Sequence, residues 1–518
     1  MKTGKIISVL LILTLLLTLA SCGAGMTKNA KEDGANLIIG DNDTVNEGTE
    51  ADGQTAPTTT DKNGGGSQEQ YLEIKENPAV NASAQSTVTF SLKVDTASYS
   101  NVARYINSGS KPPANAVRTE ELINYFKYDS LPDHTEGPFS FYTEVGASPF
   151  SPQKKMAFIR VKTKDIDKSK LKHNNLTFLI DTSGSMNSYD KLPLLKSAFA
   201  LLVETFTEND SISIVTYAGS SAIVLDSMSG DRKEEILRAI NNLTSEGSTA
   251  GAEGIQTAYA LAAKNFKKDG NNRVILATDG DFNVGISTTS ALGSFISEKR
   301  ETGVYLSILG FGTGNLRDDV METLSKNGNG NYAYIDSVHT AKKVLIDELA
   351  ANLYTVADDV KSQIVFNKDV VSDYRLIGYE NRQMSNEDFT NDKKDAGEIG
   401  AGTDVIMLFE ITLAKEESKL TAEDWLFEVN IRYKNPGETE SKPIAYKAKS
   451  SCIRTKASAD FGWACAVAAF GHILRGSEYT GMANLQSVKA LAEASKGEDE
   501  KGYRAEFIKL LNAYEKLK

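Results

Sequence analysis

A short polar stretch that directly follows an apolar run carries the residues best suited to chemistry. The stretch D-T-S-G-S-M at residues 181–186 follows the run L-T-F-L-I at residues 176–180. Asp181, Ser183 and Ser185 alternate along the chain, so the end of a strand can direct one carboxylate and two hydroxyls at a single ion. None of these groups is a soft ligand, which favours a hard cation such as Mg²⁺ over zinc.

Two later stretches strengthen this interpretation. G-S-T-A-G at residues 247–251, which contains Thr249, precedes a helical pattern, and V-I-L-A-T-D-G at residues 274–280 is a second apolar run ending in Asp279. In an open parallel sheet, ligands bind beyond the carboxyl ends of the strands. Taken alone, Asp and Ser residues after strands are most often turn formers and helix caps. The combination predicts that Asp181 and Asp279 share a metal site at one sheet edge.

The elements that must position these residues form a regular alternation. From about residue 172, apolar runs alternate with amphipathic patterns, which predicts an α/β fold: a doubly wound, mostly parallel sheet with helices on both faces. Apolar helical faces are predicted within residues 195–206, 236–243 and 255–266, the last ending at Phe266, and a closing helix at residues 345–353. Strands are predicted at residues 176–181, 212–217, 222–225, 274–278, 305–311 and 332–335.

The flanks of this α/β domain predict a second architecture. Strands are expected around residues 139–141 and 158–161, then at 364–366, 374–379, 405–413 and 427–433, followed by helices at 461–474, 485–494 and 503–514. Two strands are too few to be stable alone. Since the ends of an α/β domain lie close together, it can be inserted into another domain. We therefore predict one β-sandwich built from both flanks, with the α/β domain inserted and its metal face pointing away.

The first 70 residues differ in composition from the rest of the chain. Residues 1–21 combine Lys2 and Lys5 with an apolar core, which predicts a secretory signal peptide. L-A-S-C-G at residues 19–23 resembles the bacterial lipobox, which implies diacylation of Cys22 and cleavage before it; the alternative is an ordinary signal with a chance cysteine. Residues 22–70 contain no aromatic residue and predict a flexible linker.

Composition and missing motifs exclude several functional classes. The chain has 518 residues, enough for two or three domains, and a net charge of −12 without a Lys/Arg run, so a nucleic-acid partner is not expected. The four histidines lack ligand spacing, and no G-x-S-x-G, H-E-x-x-H or G-x-x-x-x-G-K motif occurs. Cys452 and Cys465 could form a disulfide or remain buried thiols, and both alternatives stay open.

The three stretches that carry the metal-site residues resemble the von Willebrand factor A domain over residues 172–357. D-T-S-G-S-M, the threonine of G-S-T-A-G and the aspartate of A-T-D-G-D match the three parts of that family's metal-ion-dependent adhesion site. The resemblance implies a divalent cation, Mg²⁺ in the first place with Mn²⁺ or Ca²⁺ as alternatives. Its site residues would be Asp181, Ser183, Ser185, Thr249 and Asp279.

The flanks resemble the YfbK-like group of bacterial lipoproteins. The matching stretches are V-D-T-A-S-Y-S-N at residues 94–101, R-T-E-E-L-I-N-Y-F at 118–126, G-E-I-G-A-G at 397–402 and F-G-H-I-L-R-G-S at 470–477. One departure follows Gly402, where relatives often carry histidine and this chain has Thr403 and Asp404. The expected domains are an N-terminal associated region at 71–170, the A domain at 171–358, a sandwich at 359–455 and a helical segment at 456–518.

We therefore expect a non-enzymatic, exported protein, anchored to the membrane or envelope by lipid on Cys22. Its metal would bind a protein partner whose carboxylate completes the coordination. An alternative is a structural or assembly role in which the metal only stabilises loops. A metal-dependent hydrolase is a weaker alternative, because Asp281 is the one nearby candidate for a general base and it equally fits a solvated turn.

Overall fold

The computed structural model describes residues 58–60, 68–166, 173–247, 251–280 and 288–517. The predicted signal peptide, Cys22 and most of the predicted linker lie outside the described residues, as do Thr249 and Asp281. The N-terminal elements are β1 Thr58–Thr60, β2 Gln70–Leu72, β3 Val80–Asn81, β4 Thr87–Ser91, α1 Ala97–Asn107, α2 Thr119–Asn124, β5 His134–Glu136, β6 Phe139–Ala147 and β7 Lys155–Thr163.

Residues 174–353 form the predicted α/β domain. Its strands are β8 Asn174–Asp181, β9 Ser211–Tyr217, β10 Ser221–Ser229, β11 Asn271–Thr278, β12 Val304–Phe311 and β13 Tyr332–Ile335. Its helices are α3 Leu192–Val203, α4 Lys233–Asn241, α5 Gly251–Lys264, α6 Thr289–Arg300, α7 Asp318–Asn327, α8 Val338–Lys342 and α9 Leu349–Leu353. A π-helical turn, Lys343–Asp347, interrupts the predicted closing helix between α8 and α9.

The sheet of the α/β domain has the order β10-β9-β8-β11-β12-β13. All its strand pairs are parallel except the edge pair of β9 with β10. Every residue of the neighbouring strands β8 and β11 is buried, which explains why residues 176–180 and 274–278 are mostly apolar and do not alternate. Ile180 lies opposite Ala277 in the ladder between these two strands. Asp181 and Asp279 therefore emerge at the same edge of the sheet, as predicted.

The C-terminal part of the chain contributes strands and then helices. Its elements are β14 Thr355–Phe366, β15 Val371–Ile377, β16 Gln383–Met384, β17 Ile399–Gly400, β18 Asp404–Leu413, β19 Trp425–Lys434, β20 Lys442–Lys449, α10 Ala459–Arg475, α11 Leu485–Ala494 and α12 Tyr503–Glu515. One sheet has the order β16-β4-β14-β19-β20, with β17 also paired to β14, and the other has the order β3-β15-β18-β7-β6-β5. Both sheets contain strands from before and after the α/β domain.

The ladder between β7 and β18 confirms the insertion hypothesis. It runs antiparallel from Lys162 opposite Asp404 to Lys155 opposite Ile411. The two ends of the α/β domain also meet, since Asn174 Nδ2 donates a hydrogen bond to the hydroxyl of Tyr354 at 2.9 Å. An entry and an exit at one place allow the whole domain to be inserted between β7 and β14, which belong to different sheets of the sandwich.

The strand β7 shows why the sandwich and the C-terminal helices share one sheet. Ala157 and Ile159 point into the core between the two sheets, whereas Met156 and Phe158 belong to a second core formed with the helices. The period of two along a strand places alternate side chains on opposite faces. Because both faces are covered by apolar partners, residues 156–159 are apolar without alternation. In the second core, Trp463 of α10 is fully buried.

A buried ion cluster, centred on Arg118 before α2, joins the α/β domain to its flanks. The guanidinium of Arg118 lies 2.6 Å from carboxylate oxygens of both Glu121 and Asp318, and 3.5 Å from Glu322. Asp318 and Glu322 belong to α7 of the α/β domain. We call these four residues the Arg118 cluster. Each of their side chains is at most 4% exposed.

The structure contradicts the predicted burial of Phe266 and decides between the two alternatives for the cysteines. Phe266 was expected on the buried face of a helix, but α5 ends at Lys264 and Phe266 is 42% exposed, so this prediction is wrong. The helical period no longer applies once the chain has left the helix.

Cys452 and Cys465 are both free and buried, so the structure supports the thiol alternative. Among the described residues, the helices are all too short or too polar to span a bilayer.

Candidate metal site

Asp181, the last residue of β8, lies in a fully buried position and is held by neutral donors. The hydroxyls of Tyr217 and Thr278 donate to its Oδ2 at 3.1 and 3.2 Å, and the backbone N–H of Ser183 donates to Oδ1 at 2.9 Å. Burial raises the pKa of Asp181 to about 6, and the nearby Asp279 carboxylate acts in the same direction. The strand end therefore presents a carboxylate that would gain from a cation.

The predicted ligands of the first and third stretches come together as a chain of oxygens. Ser183 Oγ lies 3.0 Å from Ser185 Oγ, and Ser185 Oγ donates to Asp279 Oδ2 at 2.7 Å. Asp279 is fully buried and Ser183 nearly so. Asp181, Ser183, Ser185 and Asp279 are thus collected at one edge of the sheet. Thr249, the fifth predicted ligand, lies outside the described residues.

The loop that leads to Thr249 is nevertheless fixed at its start. The N–H of Glu246 donates to the carbonyl oxygen of Thr182 at 2.8 Å, and the N–H of Gly184 donates to that of Gly247 at 3.1 Å. These two backbone bonds join residues 246–247 to the metal stretch at 182–184. The second stretch of the sequence motif is therefore tied to the first by backbone hydrogen bonds at residues 246–247.

Gly280 shows why glycine follows the second aspartate. Its φ is +92°, a conformation that side chains rarely adopt, and a Cβ at this position would lie 2.5 Å from the backbone nitrogen of Arg317. The Gly280 N–H donates to Thr278 Oγ1 at 3.0 Å, and the same hydroxyl donates to Asp181. The turn after β11 therefore lets the chain pass close to residue 317 while Asp279 remains directed at the serines.

Lys191 is a site residue that the sequence interpretation missed. Its ammonium lies 2.9 Å from Asp279 Oδ2 and donates to Asn315 Oδ1 at 3.1 Å, and its side chain is 8% exposed. The site thus holds one ammonium, paired with Asp279, and two carboxylates, Asp181 and Asp279, which leaves an excess of negative charge when both are ionised. The sequence does contain a signal for Lys191: a lysine lies immediately before the apolar helix α3 and close to the D-T-S-G-S stretch.

The segment at residues 68–71, which we call the N-terminal strap, reaches the loop that carries Asn315. The N–H groups of Gln68 and Gln70 donate to the carbonyl oxygens of Gly314 and Leu316, at 2.8 and 2.9 Å. Glu69 accepts from the N–H of Gly314 at 2.8 Å. The flanking chain thus contacts the carboxyl end of the sheet, a contact that the insertion hypothesis did not foresee.

Glu69 fixes the strap to α1. Arg104 of α1 pairs with Glu69 at 2.7 Å. Burial opposes ionisation of Glu69, but the Arg104 guanidinium and other donors outweigh it and lower the pKa of Glu69 to about 2. The strap is therefore held on one side by a strong ion pair and on the other by the loop at residues 314–316.

The donor set fits a small hard cation. Ligands about 2.1 Å from Mg²⁺ in an octahedron lie about 3 Å from their neighbours, and the two oxygen–oxygen distances along the serines, 3.0 and 2.7 Å, are of that size. Within the described parts of the chain, no three His, Cys, Asp or Glu side chains are grouped to hold a metal. Hydroxyl groups must therefore complete the set, which suits Mg²⁺ or Mn²⁺ and not zinc.

The histidines do not contribute to this site. His472 is 2% exposed and stacks on Phe150 with ring centroids 4.7 Å apart. Burial and the nearby Arg375 and Arg475 lower the pKa of His472 to about 3, so its ring is neutral. It is a packing residue of the second core, as the absence of ligand spacing indicated.

Comparisons with known proteins agree with the fold. The family model described as the von Willebrand factor type A domain matches residues 175–347, and one described as von Willebrand factor matches residues 66–157. The C-terminal model of the uncharacterized protein YfbK matches residues 351–517. The YfbK protein of Escherichia coli is 44% identical over 465 residues, which cover 85% of this chain and 80% of that protein. The chain belongs to the YfbK family.

Solved structures with related folds are more distant. A von Willebrand factor type A protein from Catenulispora acidiphila is 16% identical, with 75% of this chain and 91% of that one covered and a TM-score of 0.41. The ArnB paralog VWA2 from Sulfolobus acidocaldarius is 15% identical, with coverages of 73% and 97% and a TM-score of 0.35. The von Willebrand factor A domain suggests a role in protein interaction or adhesion and not in catalysis.

Proposed function

We propose that this chain is an envelope lipoprotein that binds a protein partner through a divalent cation held at Asp181, Ser183, Ser185 and Asp279. The observation that carries the proposal is the oxygen chain from Ser183 through Ser185 to Asp279 at 3.0 and 2.7 Å. Thr249 would be a further ligand, and Cys22 would carry the lipid. The bound cation would supply an electrophilic position for an anionic group of the partner.

The charges of the site favour binding over catalysis. The site holds two carboxylates and one ammonium, which pairs with Asp279, so a bound divalent cation would leave positive charge for a carboxylate from outside. Of the cationic side chains, Lys191 is already bonded to Asp279 and Asn315. A protonated lysine held in this way is a poor general base. The residues described here therefore support recognition of an anionic group.

The test compares two serines that lie close in sequence but differ in role. Ser185 belongs to the oxygen chain, whereas Ser188 bonds to Asp190 and is exposed. The mature chain, its Ser185→Ala variant and its Ser188→Ala variant would each be incubated with envelope extract in Mg²⁺ or in EDTA. We expect a partner that is retained by the wild type and by Ser188→Ala in Mg²⁺, and lost with EDTA or with Ser185→Ala.

Other results would support a different role. A partner retained equally in EDTA would show that binding does not use the metal, and would favour the structural or assembly alternative. Membrane fractionation of Cys22→Ser tests the anchor separately. Retention of that variant in carbonate-washed membranes would contradict lipid anchoring at this residue.

A further inference from the structure

A cavity of about 180 Å³ lies where the three parts of the chain meet. Residues 92–96 and the end of α2 form one wall, and β13 with the interrupted closing helix forms a second. The third wall is residues 398–405, which contain most of the G-E-I-G-A-G stretch. The metal site uses no residue of this wall.

Glu398 is the unusual group of this cavity. It is 8% exposed, and neither of its carboxyl oxygens has a hydrogen-bond partner among the described residues. A buried carboxyl group without a partner loses its hydration and gains nothing in return. Such a group in a cavity wall indicates a ligand that supplies the missing donors.

The other carboxylates of the wall all lie near cationic side chains. Four are ion-paired: Asp95 with Arg382 at 2.8 Å, Asp404 with Arg160 at 2.8 Å, Asp347 with Lys501 at 3.1 Å, and Glu348 with Lys343. Asp165 lies at the rim, with its side chain 81% exposed and 3.9 Å from Lys162. Two lysines line the cavity: Lys93, which donates to the carbonyl oxygen of Gly330, and Lys127. Glu398 differs from the four ion-paired acids because its carboxyl oxygens have no hydrogen-bond partner among the described residues, although the charges of Lys93 and Arg300 act on it.

The backbone next to Glu398 lies very close to the interrupted closing helix. A Cβ on Gly400 would lie 1.7 Å from the carbonyl oxygen of Ala351, so residue 400 must be glycine for the loop to rest on the interrupted closing helix. This contact fixes the loop at the cavity. Burial raises the pKa of Glu398 and the Asp395 and Asp358 carboxylates act in the same direction, whereas the charges of Lys93 and Arg300 oppose them. A cation supplied by a ligand would further favour the ionised form.

We propose that this cavity binds a small aliphatic amine, whose ammonium group donates hydrogen bonds to Glu398. An ammonium carries three donors and no acceptor, which matches two unpartnered carboxyl oxygens. Much of the remaining wall is apolar and includes Leu92, Val94 and Ile399, against which a hydrocarbon body can pack. A metal ion fits less well, because no three metal-binding side chains are grouped within the described ranges.

The volume limits the size of the amine. A cavity of about 150 Å³ accommodates benzene, so the roughly similar volume here suits a ligand of about six non-hydrogen atoms. A five-carbon primary amine has this size. The same chemistry occurs in free diamines and in the side chain of lysine, and the test separates these two sources.

The experiment is calorimetric titration of the mature chain with 1-pentylamine and with its neutral counterpart 1-pentanol, with Mg²⁺ present throughout. We expect saturable binding of the amine, at least tenfold weaker binding of the alcohol, and at least tenfold weaker amine binding by Glu398→Gln. Glutamine preserves shape and removes the charge. Asp165→Asn, which alters an exposed carboxylate of the rim, should change amine affinity less than twofold.

Three results would overturn the proposal: no saturable binding of 1-pentylamine, equal binding of 1-pentanol, or equal losses in Glu398→Gln and Asp165→Asn. The comparison of amine with alcohol needs the wild type alone, so it remains decisive if a variant fails to fold. Cadaverine and Nα-acetyl-lysine amide then distinguish the sources. Tighter binding of one of them, lost in Glu398→Gln, identifies a free diamine or a lysine side chain as the natural form of the ligand.

Discussion

The candidate metal site and the Arg118 cluster are both buried groups of charges, but they are neutralised differently. In the Arg118 cluster, a planar guanidinium lies within ion-pair distance of three carboxylates. In the metal site, Asp181 accepts hydrogen bonds from uncharged groups, and the ammonium of Lys191 is placed on Asp279. The guanidinium fixes a geometry through several directed bonds.

This difference separates a structural group of charges from a binding group. The N–H donors of the guanidinium engage the carboxylates of Glu121 and Asp318, so this cluster holds α7 to the flank. Hydroxyl groups such as those of Ser183 and Ser185 can turn their lone pairs toward a cation when one arrives. The metal site therefore keeps capacity for a ligand that the Arg118 cluster has used internally.

The largest effect is expected from removing the guanidinium of the Arg118 cluster. Arg118→Ala removes the cation that pairs with the buried Glu121 and Asp318 carboxylates, and the free energy of unfolding should fall by about 3–5 kcal/mol. Urea denaturation measures it. Arg232→Ala removes an exposed pair with Glu235 and should cost less than about 1 kcal/mol. Similar losses in the two variants would show that the Arg118 cluster is not the structural lock inferred here.

The metal site should respond in the opposite way. Asp181→Asn removes a carboxylate whose hydrogen-bond donors are neutral, so the metal-free chain should lose less than about 1 kcal/mol of stability. Affinity for Mn²⁺ should nevertheless fall by at least about 100-fold, because a charged ligand is lost. Calorimetry and urea denaturation in EDTA give the two values. Unchanged Mn²⁺ affinity would remove Asp181 from the site.

The N-terminal strap contains an ion pair, Glu69 with Arg104, whose contribution to stability can be tested by changing the pH. The pKa of Glu69 is about 2 in the folded chain, below the ordinary value of 4.5. Its ionised form therefore contributes stability above about pH 4.5, and this contribution is lost as pH falls toward 2. Glu69→Gln should be roughly 1–3 kcal/mol less stable than wild type at pH 7.

The difference between Glu69→Gln and wild type should shrink steadily below about pH 4.5, which thermal unfolding at several pH values can follow. A gap that stayed constant from pH 7 to pH 3 would mean that the Glu69–Arg104 pair is not its source. In that case the neutral hydrogen bonds of Glu69, such as the one from Gly314, would carry the effect.

The smallest expected effect is the change in Mn²⁺ affinity when Lys191 is replaced. Lys191→Met removes a positive charge beside the metal ligands, so Mn²⁺ affinity should rise on the order of tenfold, because like charges no longer repel. Lys196→Met, which alters a lysine of α3 bonded to the carbonyl oxygens of Asn241 and Leu243, is the control. Weaker Mn²⁺ binding by Lys191→Met would instead make Lys191 a positioning residue for Asp279.

Much of the α/β domain could be predicted because its signals are local. Strand runs such as 274–278 and the helical period at 195–206 reflect contacts within a few residues, and the metal stretches end strands of that pattern. The ends of elements were less accurate, as Phe266 shows. Its side chain fits the helical period in sequence, yet the helix has already ended at Lys264.

By itself, the sequence determined the type of sheet, the edge at which Asp181 and Asp279 meet, and the hard-oxygen character of the ligands. The tertiary structure decided the partners that lie far apart in the chain. Arg160 meets Asp404 across 244 residues, and Lys191 meets Asp279 across 88. The packing of distant segments also decides that the Glu398 oxygens lack a hydrogen-bond partner among the described residues. It likewise decides that Cys452 and Cys465 are free thiols. Contacts between distant residues produce no repeating pattern in the local sequence. They form only when loops close and whole layers pack together.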